Sequence, residues 1–249
     1  MQESALSMKN RVVLMPTYNE ADSIVGVITE LSTLDVDIIV IDDNSPDGTS
    51  EIVKKMRFDN VSVIDHGSKK GIGPAYISGF KVALNKGYSK IATMDADGSH
   101  QVLDLQRMFI ESDSYEVVMG ARWIEGGSVS NWKVHRILIS RFGTWFAGRC
   151  LALPYKDLTG GLRIYDAKAI SQINLETISS NGYCFQIEMI RVISVIKASI
   201  KEIPIHFIER RNGVSKMSKV IVLEAFARVS IWGLQRIFRH NADKLHYVK

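Results

Sequence analysis

In the first half of the chain, short runs of apolar residues take turns with segments that have both apolar and polar positions. Apolar runs rich in β-branched residues predict strands at Arg11–Met15, Asp37–Ile41, Val61–Asp65, Lys90–Met94 and Glu116–Met119. Apolar residues at helical spacing predict helices at Glu20–Leu31, Thr49–Met56 and Ala75–Lys86. Because strands and helices alternate, the pattern predicts an α/β fold with a mostly parallel sheet flanked by helices.

The second half of the chain has more helical pattern. We predict helices at Val134–Leu153, Cys184–Val195 and Lys216–Arg239, the last of them long and amphipathic. Asp157–Tyr165 has the pattern of a strand or turn, and Glu202–Glu209 that of a strand. The sequence contains no repeat, low-complexity tract or clear linker. We therefore predict one domain at residues 1–215 and a C-terminal amphipathic helical extension at residues 216–249.

Polar residues follow four of the predicted strands at the point where each strand ends. They are Pro16–Glu20, Asp42–Ser45, Asp95–Asp97 and Gly120–Arg122. Ligands of parallel sheets bind at the carboxyl ends of the strands. We therefore expect these four groups to converge at one edge of the sheet.

The composition is that of a globular protein with a core. Of the 249 residues, 46% are hydrophobic and 23% are charged, and the net charge is +4. A mildly basic balance fits a phosphate-bearing substrate or an anionic membrane surface, and it equally fits an ordinary solvated surface. Cys150 and Cys184 lie in apolar surroundings, so we expect buried free thiols in a reducing compartment.

Neither a signal peptide nor a membrane-spanning segment is predicted. Residues Met1–Asn10 lack the apolar core of a signal peptide. The sequence has no uninterrupted run of about 18 apolar residues. We therefore expect a cytoplasmic chain without a transmembrane helix.

Asp95 and Asp97 are the strongest candidates for chemistry. Two carboxylates one residue apart at a strand end can reach one hard divalent cation, and Mg²⁺ or Mn²⁺ is commonly shared between carboxylates and substrate phosphates. Such a cation would neutralise the charge that builds on a diphosphate leaving group. The pattern alone is weak, because it occurs by chance on many surfaces, but its place after an apolar strand strengthens it.

Other motifs point to binding rather than to acid–base catalysis. Asp43 could accept hydrogen bonds from a nucleoside, although Asp43–Gly48 is also strong turn chemistry. Gly71 and Gly73 belong to neither a P-loop nor a dinucleotide fingerprint. The six histidines form neither a zinc motif nor a hydrolase triad. The basic turn at Glu209–Lys216 could close on phosphates or be an ordinary solvated turn.

Taken together, these residues resemble the family 2 glycosyltransferases with the GT-A fold, and among them the dolichol-phosphate (polyprenyl-phosphate) mannose synthases. Six motifs in order carry the resemblance, from about Arg11 to Lys219: Pro16–Glu20, Asp42–Thr49, Met94–Asp97, Gly120–Arg122, Asp157–Gly161 and Glu209–Lys216. Some family members have a glutamine metal ligand where this chain has Ser99, so that position is not counted as a ligand.

The resemblance implies roles for particular residues. The guanosine of GDP-mannose would be held by Pro16, Tyr18, Glu20, Ile41 and Asp43, and the metal by Asp95 and Asp97 with the Ala96 backbone alongside. Arg122, Arg210 and Lys216 would face the donor and acceptor phosphates, and Arg136 and Ser140 would meet the lipid phosphate. Asp97, Arg122, Arg210 and Lys216 are therefore the candidate catalytic residues.

The reaction that the resemblance implies is inverting, metal-dependent transfer of mannose from GDP-mannose to a polyprenyl (dolichyl) monophosphate. The acceptor is already an anion at neutral pH, so no general base is needed. A lipid acceptor implies a membrane surface, and we expect peripheral association with its cytosolic face through Val134–Leu153 or Lys216–Arg239. The second of these helices could instead pack on the core or dock onto a small membrane subunit. No nucleic-acid partner is expected.

Several alternatives stay open at this point. A UDP-glucose-dependent polyprenyl-phosphate glucosyltransferase would use the same fold and mechanism. A transferase with a saccharide or protein acceptor would need a general base near Asp97, and none is evident. A non-catalytic nucleotide-sugar-binding protein would not need the carboxylate pair. A nucleotidyltransferase would need a glycine-rich, lysine-bearing loop after Met15, which the sequence lacks.

Overall fold

The computed structural model describes residues 10–209, 219–238 and 247–249. Its centre is a seven-stranded sheet in the order β3-β2-β1-β4-β7-β5-β8, and β6 and β9 form a small separate sheet. The strands are β1 (Arg11–Thr17), β2 (Asp37–Asp42), β3 (Val61–Asp65), β4 (Lys90–Thr93), β5 (Val117–Ala121), β6 (Ser128–Ser130), β7 (Arg163–Asp166), β8 (Ile200–Pro204) and β9 (His206–Ile208). All strand pairs of the large sheet are parallel except those of β7, which runs antiparallel to β4 and β5.

Eight α-helices lie in the described residues. They are α1 (Ile24–Leu31), α2 (Thr49–Met56), α3 (Ile72–Asn85), α4 (Val102–Glu111), α5 (Val134–Leu151), α6 (Ala167–Ser171), α7 (Gly182–Val195) and α8 (Lys219–Phe238). A 3₁₀ turn at Leu175–Thr177 follows α6. The α/β fold with a mainly parallel sheet flanked by helices is confirmed.

The sheet is buried on both faces. Val12 and Leu14 of β1 belong to the core on one side of the sheet, and Val13 and Met15 belong to the core on the other side. Successive strand residues point to opposite faces, so a strand covered on both faces is a continuous apolar run. This is why β1 and β2 lack polar alternation.

The carboxyl ends of β1, β2, β4 and β5 meet at one edge of the sheet, as the sequence predicted. Thr17 at the end of β1 lies opposite Asp42 at the end of β2, and Leu14 lies opposite Thr93 at the end of β4. Strand β5 runs in the same direction as β4, because both are antiparallel to β7, which lies between them. The loops after these four strands therefore share one surface.

The first helix begins later than the sequence predicted. We expected a helix from Glu20, but α1 begins at Ile24. The backbone N–H of Glu20 donates to Thr49 Oγ1 at 3.0 Å, and that of Ala21 donates to Asp47 Oδ2 at 3.0 Å. These bonds to the loop after β2 hold the chain outside the helix.

The predicted strand at Glu202–Glu209 is two strands. Strand β8 pairs with β5 up to Pro204, and the N–H of Ile205 then donates to Ala121 O at 3.2 Å. Strand β9 leaves the large sheet to pair with β6. Helix α4 was not predicted, and β7 lies at the end of the segment for which a strand or turn was expected.

Helices α5 and α8 pack together on one side of the molecule. Phe226 of α8 contacts the rings of Phe142 and Phe146, with centroid distances of 5.7 Å and 5.0 Å. Val229 and Trp232 of α8 are buried in the core. The described part of the predicted Lys216–Arg239 helix is therefore anchored on the domain. A search of the described residues finds no helix with both the length and the apolar character that crossing a membrane requires.

Both cysteines are free thiols, but they differ in burial. Cys184 is buried, and burial raises the pKa of its thiol to about 11. Cys150 is only half-buried, so the expectation that it would be buried was wrong. Its neighbour Gly233 on α8 brings the two helices so close that a Cβ at Gly233 would lie 3.2 Å from the Cys150 Cβ.

Candidate active site

The carboxylate pair lies in the loop that follows β4, at the carboxyl edge of the sheet. Asp95 and Asp97 are both partly exposed, and Ala96 between them is buried. Asp97 Oδ1 accepts the backbone N–H of Ser99 at 3.1 Å, and Gly98 turns the chain with a φ of +74°. The loop therefore presents both carboxylates towards solvent at the predicted position.

The donor set of this loop fits a hard divalent cation. Two carboxylates are what Mg²⁺ or Mn²⁺ commonly takes from a protein, while substrate phosphates and water supply the other ligands. The described residues contain no group of three or more His, Cys, Asp or Glu side chains arranged for a metal. The side chain of Ser99 is buried, and this residue is not counted among the ligands.

His100 holds the backbone of the first residue of the pair, Asp95. Its ring is buried, and its Nδ1 accepts the backbone N–H of Asp95 at 3.3 Å. Its Nε2 lies 4.0 Å from Asp95 Oδ2, and its ring meets the edge of Phe207 at a centroid distance of 5.3 Å. This histidine is therefore a structural partner of the loop.

The segment Asp157–Gly161 crosses the site next to the carboxylates. Gly161 approaches Asp95 so closely that a Cβ there would lie 3.4 Å from both carboxylate oxygens. The carbonyl of Gly161 accepts the Thr93 hydroxyl at 2.8 Å, which ties the segment to the end of β4. At its other end the segment holds Asp157 and Thr159, and both contact Arg122.

Arg122 and Asp157 form a buried ion pair. The Nε and Nη2 atoms of Arg122 donate to Asp157 Oδ2 and Oδ1, each at 2.7 Å, and the Arg122 backbone N–H donates to Oδ2 at 2.9 Å. Burial alone would raise the pKa of the Asp157 carboxyl, but the Arg122 guanidinium and these hydrogen bonds hold that pKa below its usual value. The pair is therefore ionised at neutral pH.

Arg122 also reaches the residues predicted to meet the acceptor phosphate. Its Nη2 donates to Thr159 Oγ1 at 2.8 Å and lies 3.5 Å from Ser140 Oγ. The hydroxyls of Ser140 and Thr159 are 3.1 Å apart. Arg136, one helical turn before Ser140 on α5, forms an ion pair with Glu209 and lies over the Trp132 ring at 4.0 Å. The structure thus brings Arg122, Arg136 and Ser140 together.

A narrow apolar cavity opens from this cluster between α5 and α8. We call it the α5–α8 cavity, and its volume is about 60 Å³. Arg136, Ser140 and Thr159 are its polar lining residues apart from the Trp132 indole. Its other lining residues are apolar or glycine: Ile139, Gly143, Phe146, Ile187, Val222, Ala225, Phe226 and Val229. A polar head and the first few atoms of an apolar tail could therefore meet here.

The residues predicted to hold a nucleoside lie at the ends of β1 and β2. Pro16 is half-buried in β1, and Glu20 is buried, with its Oε2 accepting the Ser23 hydroxyl at 3.1 Å. The ring of Tyr18 is half-buried and carries the Lys69 ammonium at 3.7 Å from its centroid. Ile41 has a fully buried side chain, so only its backbone could contact a ligand.

The Asp43 carboxylate is held by the loop after β3. Its Oδ1 lies 2.8 Å from His66 Nδ1, and its Oδ2 accepts the backbone N–H groups of Lys70 at 3.1 Å and Gly71 at 2.6 Å. A carboxylate offers about four lone-pair sites, so about one remains for a ligand. Asp43 is buried and therefore organises this loop.

Two predicted site residues, Arg210 and Lys216, lie outside the described residues. At the end of β9, Ile208 N–H donates to Ser99 O at 3.0 Å, next to the loop that holds Asp97, and Glu209 N–H donates to Ser130 O at 3.1 Å.

Sequence reasoning assigned no role to several residues that build the site. Asp157 and Thr159 were part of a recognised motif but were not identified as partners of Arg122. His66 follows β3 at the same sheet edge, and this position was a signal that it would meet Asp43. Trp123 and Trp132 each lie within 5.3 Å of the Arg122 guanidinium, and nothing in their spacing indicates this.

The comparison with protein families decides the classification. Residues 12–173 match the profile of Glycosyl transferase family 2. The chain belongs to this family. The transferase is 36% identical over 230 residues to polyprenol monophosphomannose synthase of Mycolicibacterium smegmatis, covering 90% of this chain and 87% of that protein. It is 38% identical over 227 residues to undecaprenyl-phosphate mannosyltransferase of Micrococcus luteus, covering 90% of this chain and 93% of that protein.

Solved structures of the same fold include glucosyl-3-phosphoglycerate synthase from Mycobacterium tuberculosis. In complex with Mn²⁺, UDP and glucosyl-3-phosphoglycerate, that enzyme matches 92% of the transferase with a TM-score of 0.64 and 16% identity, over 80% of its own chain. Its complex with Mn²⁺, UDP and phosphoglyceric acid matches with a TM-score of 0.62. At this identity the likeness shows a shared GT-A fold.

Proposed function

We propose that the transferase moves mannose from GDP-mannose to a polyprenyl (dolichyl) monophosphate, with inversion at the anomeric carbon and with Mg²⁺ or Mn²⁺ at the carboxylate pair. The two curated relatives, which cover 90% of the chain, are named for mannosyl transfer to polyprenyl phosphates. The GDP donor, the metal and the residue roles are inferences from the sequence resemblance and from the chemistry of the site.

One observation carries the proposal. The cluster of Arg122, Arg136 and Ser140 lies at the polar end of an otherwise apolar cavity. A phosphate with an apolar chain is the ligand that matches both parts, because guanidinium groups bind phosphate oxygens and the cavity excludes water from the chain. A hydrophilic sugar or protein acceptor would leave the apolar lining unused.

The reaction needs no general base on this chain. An acceptor phosphate monoester has a second pKa near 6, so its oxygen is an anion at neutral pH. That oxygen forms a bond to the anomeric carbon as the bond from this carbon to the donor diphosphate breaks. The nucleoside diphosphate leaves with the bonding electron pair. The protein's task is then to position two anions that repel each other.

The residues of the site divide this task. Arg136 and Ser140 hold the acceptor phosphate, and Arg122, fixed by Asp157, lies beside them. Asp95 and Asp97 hold the cation, which neutralises the leaving diphosphate when it is bound. Arg210 and Lys216 supply further positive charge to the two substrates. Asp43, Tyr18, Glu20, Pro16 and the Ile41 backbone hold the guanosine.

A lipid acceptor implies that the transferase works at the cytosolic face of a membrane, either alone or with a small membrane subunit. Exposed apolar side chains support this proposal, because α5 exposes Val134, Leu138 and Phe142, and α8 exposes Leu223, Ile231 and Leu234. Apolar side chains on neighbouring helices beside basic residues are typical of an interfacial surface. Deletion of α8 would be a poor test, because Val229 and Trp232 belong to the core.

The experiment that tests the function measures transfer of radiolabelled sugar into lipid. Purified transferase is incubated with a polyprenyl phosphate and either GDP-mannose or UDP-glucose, with Mg²⁺, with Mn²⁺ or with a chelator. We expect labelled lipid from GDP-mannose only, and no labelled lipid with the chelator. Labelling from UDP-glucose alone would overturn the donor, and labelling that survives the chelator would overturn the metal.

A further inference from the structure

A second pocket lies on the outer side of α5. Its volume is about 500 Å³, and three aromatic and three cationic side chains line it: Trp123, Trp145, Tyr155, Arg141, Arg149 and Lys156. We call it the Trp145 pocket. The reaction proposed above assigns no step to these six residues, although the Trp123 ring also packs against Arg122, with the guanidinium 5.3 Å from the ring centroid.

The two pockets lie on opposite faces of the same helix. Ser140 and Gly143 line the α5–α8 cavity, whereas Arg141, Trp145 and Arg149 line the Trp145 pocket. Residues four apart fall on one face of an α-helix because it repeats every 3.6 residues. A ligand of the Trp145 pocket is therefore separate from the acceptor in the cavity.

The pocket has an excess of positive charge. Arg141, Arg149 and Lys156 are exposed, and within the part of the chain that the structure describes none of them forms an ion pair. Glu202 uses one carboxylate oxygen to accept the backbone N–H groups of Lys156 at 2.7 Å and Asp157 at 2.9 Å. The Arg141 guanidinium lies 6.0 Å from the Trp123 ring centroid.

The pocket opens beside an exposed apolar stripe. Val134, Leu138, Phe142 and Trp145 are all exposed and are spaced by about one helical turn, so they lie along one side of α5. Trp145 belongs both to this stripe and to the pocket. Protein surfaces that contact lipid headgroups are typically rich in tryptophan and tyrosine, with arginine and lysine beside them.

We propose that the Trp145 pocket binds the phosphate headgroup of an anionic bilayer phospholipid. This inference rests on the proposed membrane association of the transferase. The guanidinium groups of Arg141 and Arg149 and the Lys156 ammonium pair with the phosphate, since Arg forms bidentate bonds to phosphate oxygens. Trp145 enters the headgroup layer beside it. The bound lipid holds α5 at the bilayer that delivers the acceptor to the other face of the same helix.

The test measures binding of the full-length transferase to vesicles by sedimentation. One vesicle is pure phosphatidylcholine, and the other contains phosphatidylcholine with phosphatidylglycerol at the same total lipid. The pocket variant is Arg141→Gln/Arg149→Gln/Lys156→Gln. The matched control is Lys55→Gln/Lys86→Gln/Lys168→Gln, which removes the same charge from exposed side chains elsewhere.

We expect phosphatidylglycerol to strengthen binding of the wild type and of the control variant. For the pocket variant, we expect binding to the anionic vesicles to fall by more than about tenfold, because each basic side chain near an anionic surface contributes measurably. Binding to neutral vesicles should be the same for all three proteins. Equal losses in the two variants, or no effect of phosphatidylglycerol on the wild type, would overturn the proposal.

Two further arms separate the possible explanations. In the first arm, an excess of glycerol 3-phosphate is added, and the wild-type transferase should stay bound to the anionic vesicles. If glycerol 3-phosphate releases the transferase, the pocket binds a free phosphate ester and the lipid assignment is overturned. In detergent with a short-chain acceptor, the pocket variant should transfer sugar at the wild-type rate. If the pocket variant loses transfer activity in detergent, the pocket is not a headgroup site separate from the active site. If the wild type itself transfers no sugar, the result counts against the proposed function and not against the headgroup site.

Discussion

Arg122 and Asp157 are joined by three hydrogen bonds of 2.7 to 2.9 Å, with side-chain exposures of 4% and 0%. The guanidinium is therefore fixed in one orientation, parallel to a carboxylate that neutralises it. It cannot swing towards a substrate without breaking a buried ion pair. Its contacts to Ser140 and Thr159 hold it rigidly beside the proposed acceptor site.

Replacement of Asp157 by Asn should destabilise the transferase strongly. The buried Arg122 charge would lose its partner, and breaking a buried pair in this way costs about 3 kcal/mol of unfolding free energy. Urea denaturation measures the loss. Asp113→Asn is the control, because its pair with Arg11 is largely exposed, with a distance of 3.7 Å, and should contribute less than about 1 kcal/mol. Equal losses in the two variants would contradict the buried-pair interpretation.

The same pair should make the wild type sensitive to acid. The folded-state pKa of Asp157 is lowered, so its contribution to stability is complete above the unfolded-state pKa of about 3.9 and is lost as the pH falls through the folded-state value. Unfolding free energy measured from pH 6 downwards should therefore fall more steeply below about pH 4 in the wild type than in Asp157→Asn. Parallel curves for the two proteins would disprove this contribution.

Asp97→Ala should lower turnover by at least about a hundredfold, which is roughly 3 kcal/mol of transition-state stabilisation. The reason is the loss of one of the two carboxylates that fit the cation. Radiolabel transfer at saturating substrates gives the rate, and Asp113→Ala, which removes a distant exposed carboxylate, should leave it unchanged. Near-normal turnover of Asp97→Ala would exclude the metal assignment.

Arg136→Gln should raise the KM for the polyprenyl phosphate by about tenfold or more and leave the KM for the donor unchanged, because a charged hydrogen bond to phosphate is worth roughly 1.5–3 kcal/mol. Initial rates in detergent separate the two constants. Arg141→Gln is the control, since it lies on the opposite face of α5. A rise in the donor KM instead would move Arg136 to the donor side of the site.

Val134→Ser/Leu138→Ser should weaken binding to neutral vesicles by about tenfold or more, because burial of each apolar side chain contributes on the order of 1–2 kcal/mol. Their exposures are 71% and 62%. The control is Leu103→Ser/Ile110→Ser on α4, where the exposures are 71% and 66%. Co-flotation with phosphatidylcholine vesicles measures binding, and the same loss in both variants would show that the α5 surface has no special role.

Much of the fold and of the site followed from local pattern. The buried parallel strands are continuous apolar runs, so β1, β2 and β4 were predicted to within a few residues, and their carboxyl ends placed Asp43 and Asp95 at one edge. The ordered motifs were specific enough to indicate the family. Such signals are local, because a strand, its end and the following loop are adjacent in sequence.

The tertiary structure decided which side chains meet. Arg122 and Asp157 are 35 residues apart, and Asp43 and His66 are 23 apart, so no periodicity connects them. Gly73 of α3 lies so close to the segment before α7 that a Cβ there would be 2.2 Å from Ser180 O, and this approach depends on the packing of distant segments.

The sequence by itself therefore determined β1 to β5, their order along the chain and the carboxylate pair at the edge of the sheet, since these depend on hydrophobic period and strand ends. Only the tertiary structure decided that β7 runs antiparallel and that Arg122 is fixed by Asp157. It also decided that the two faces of α5 line separate pockets. Each of these depends on the free energies of contacts between segments that are far apart in the sequence. No local pattern of residues predicts those contacts.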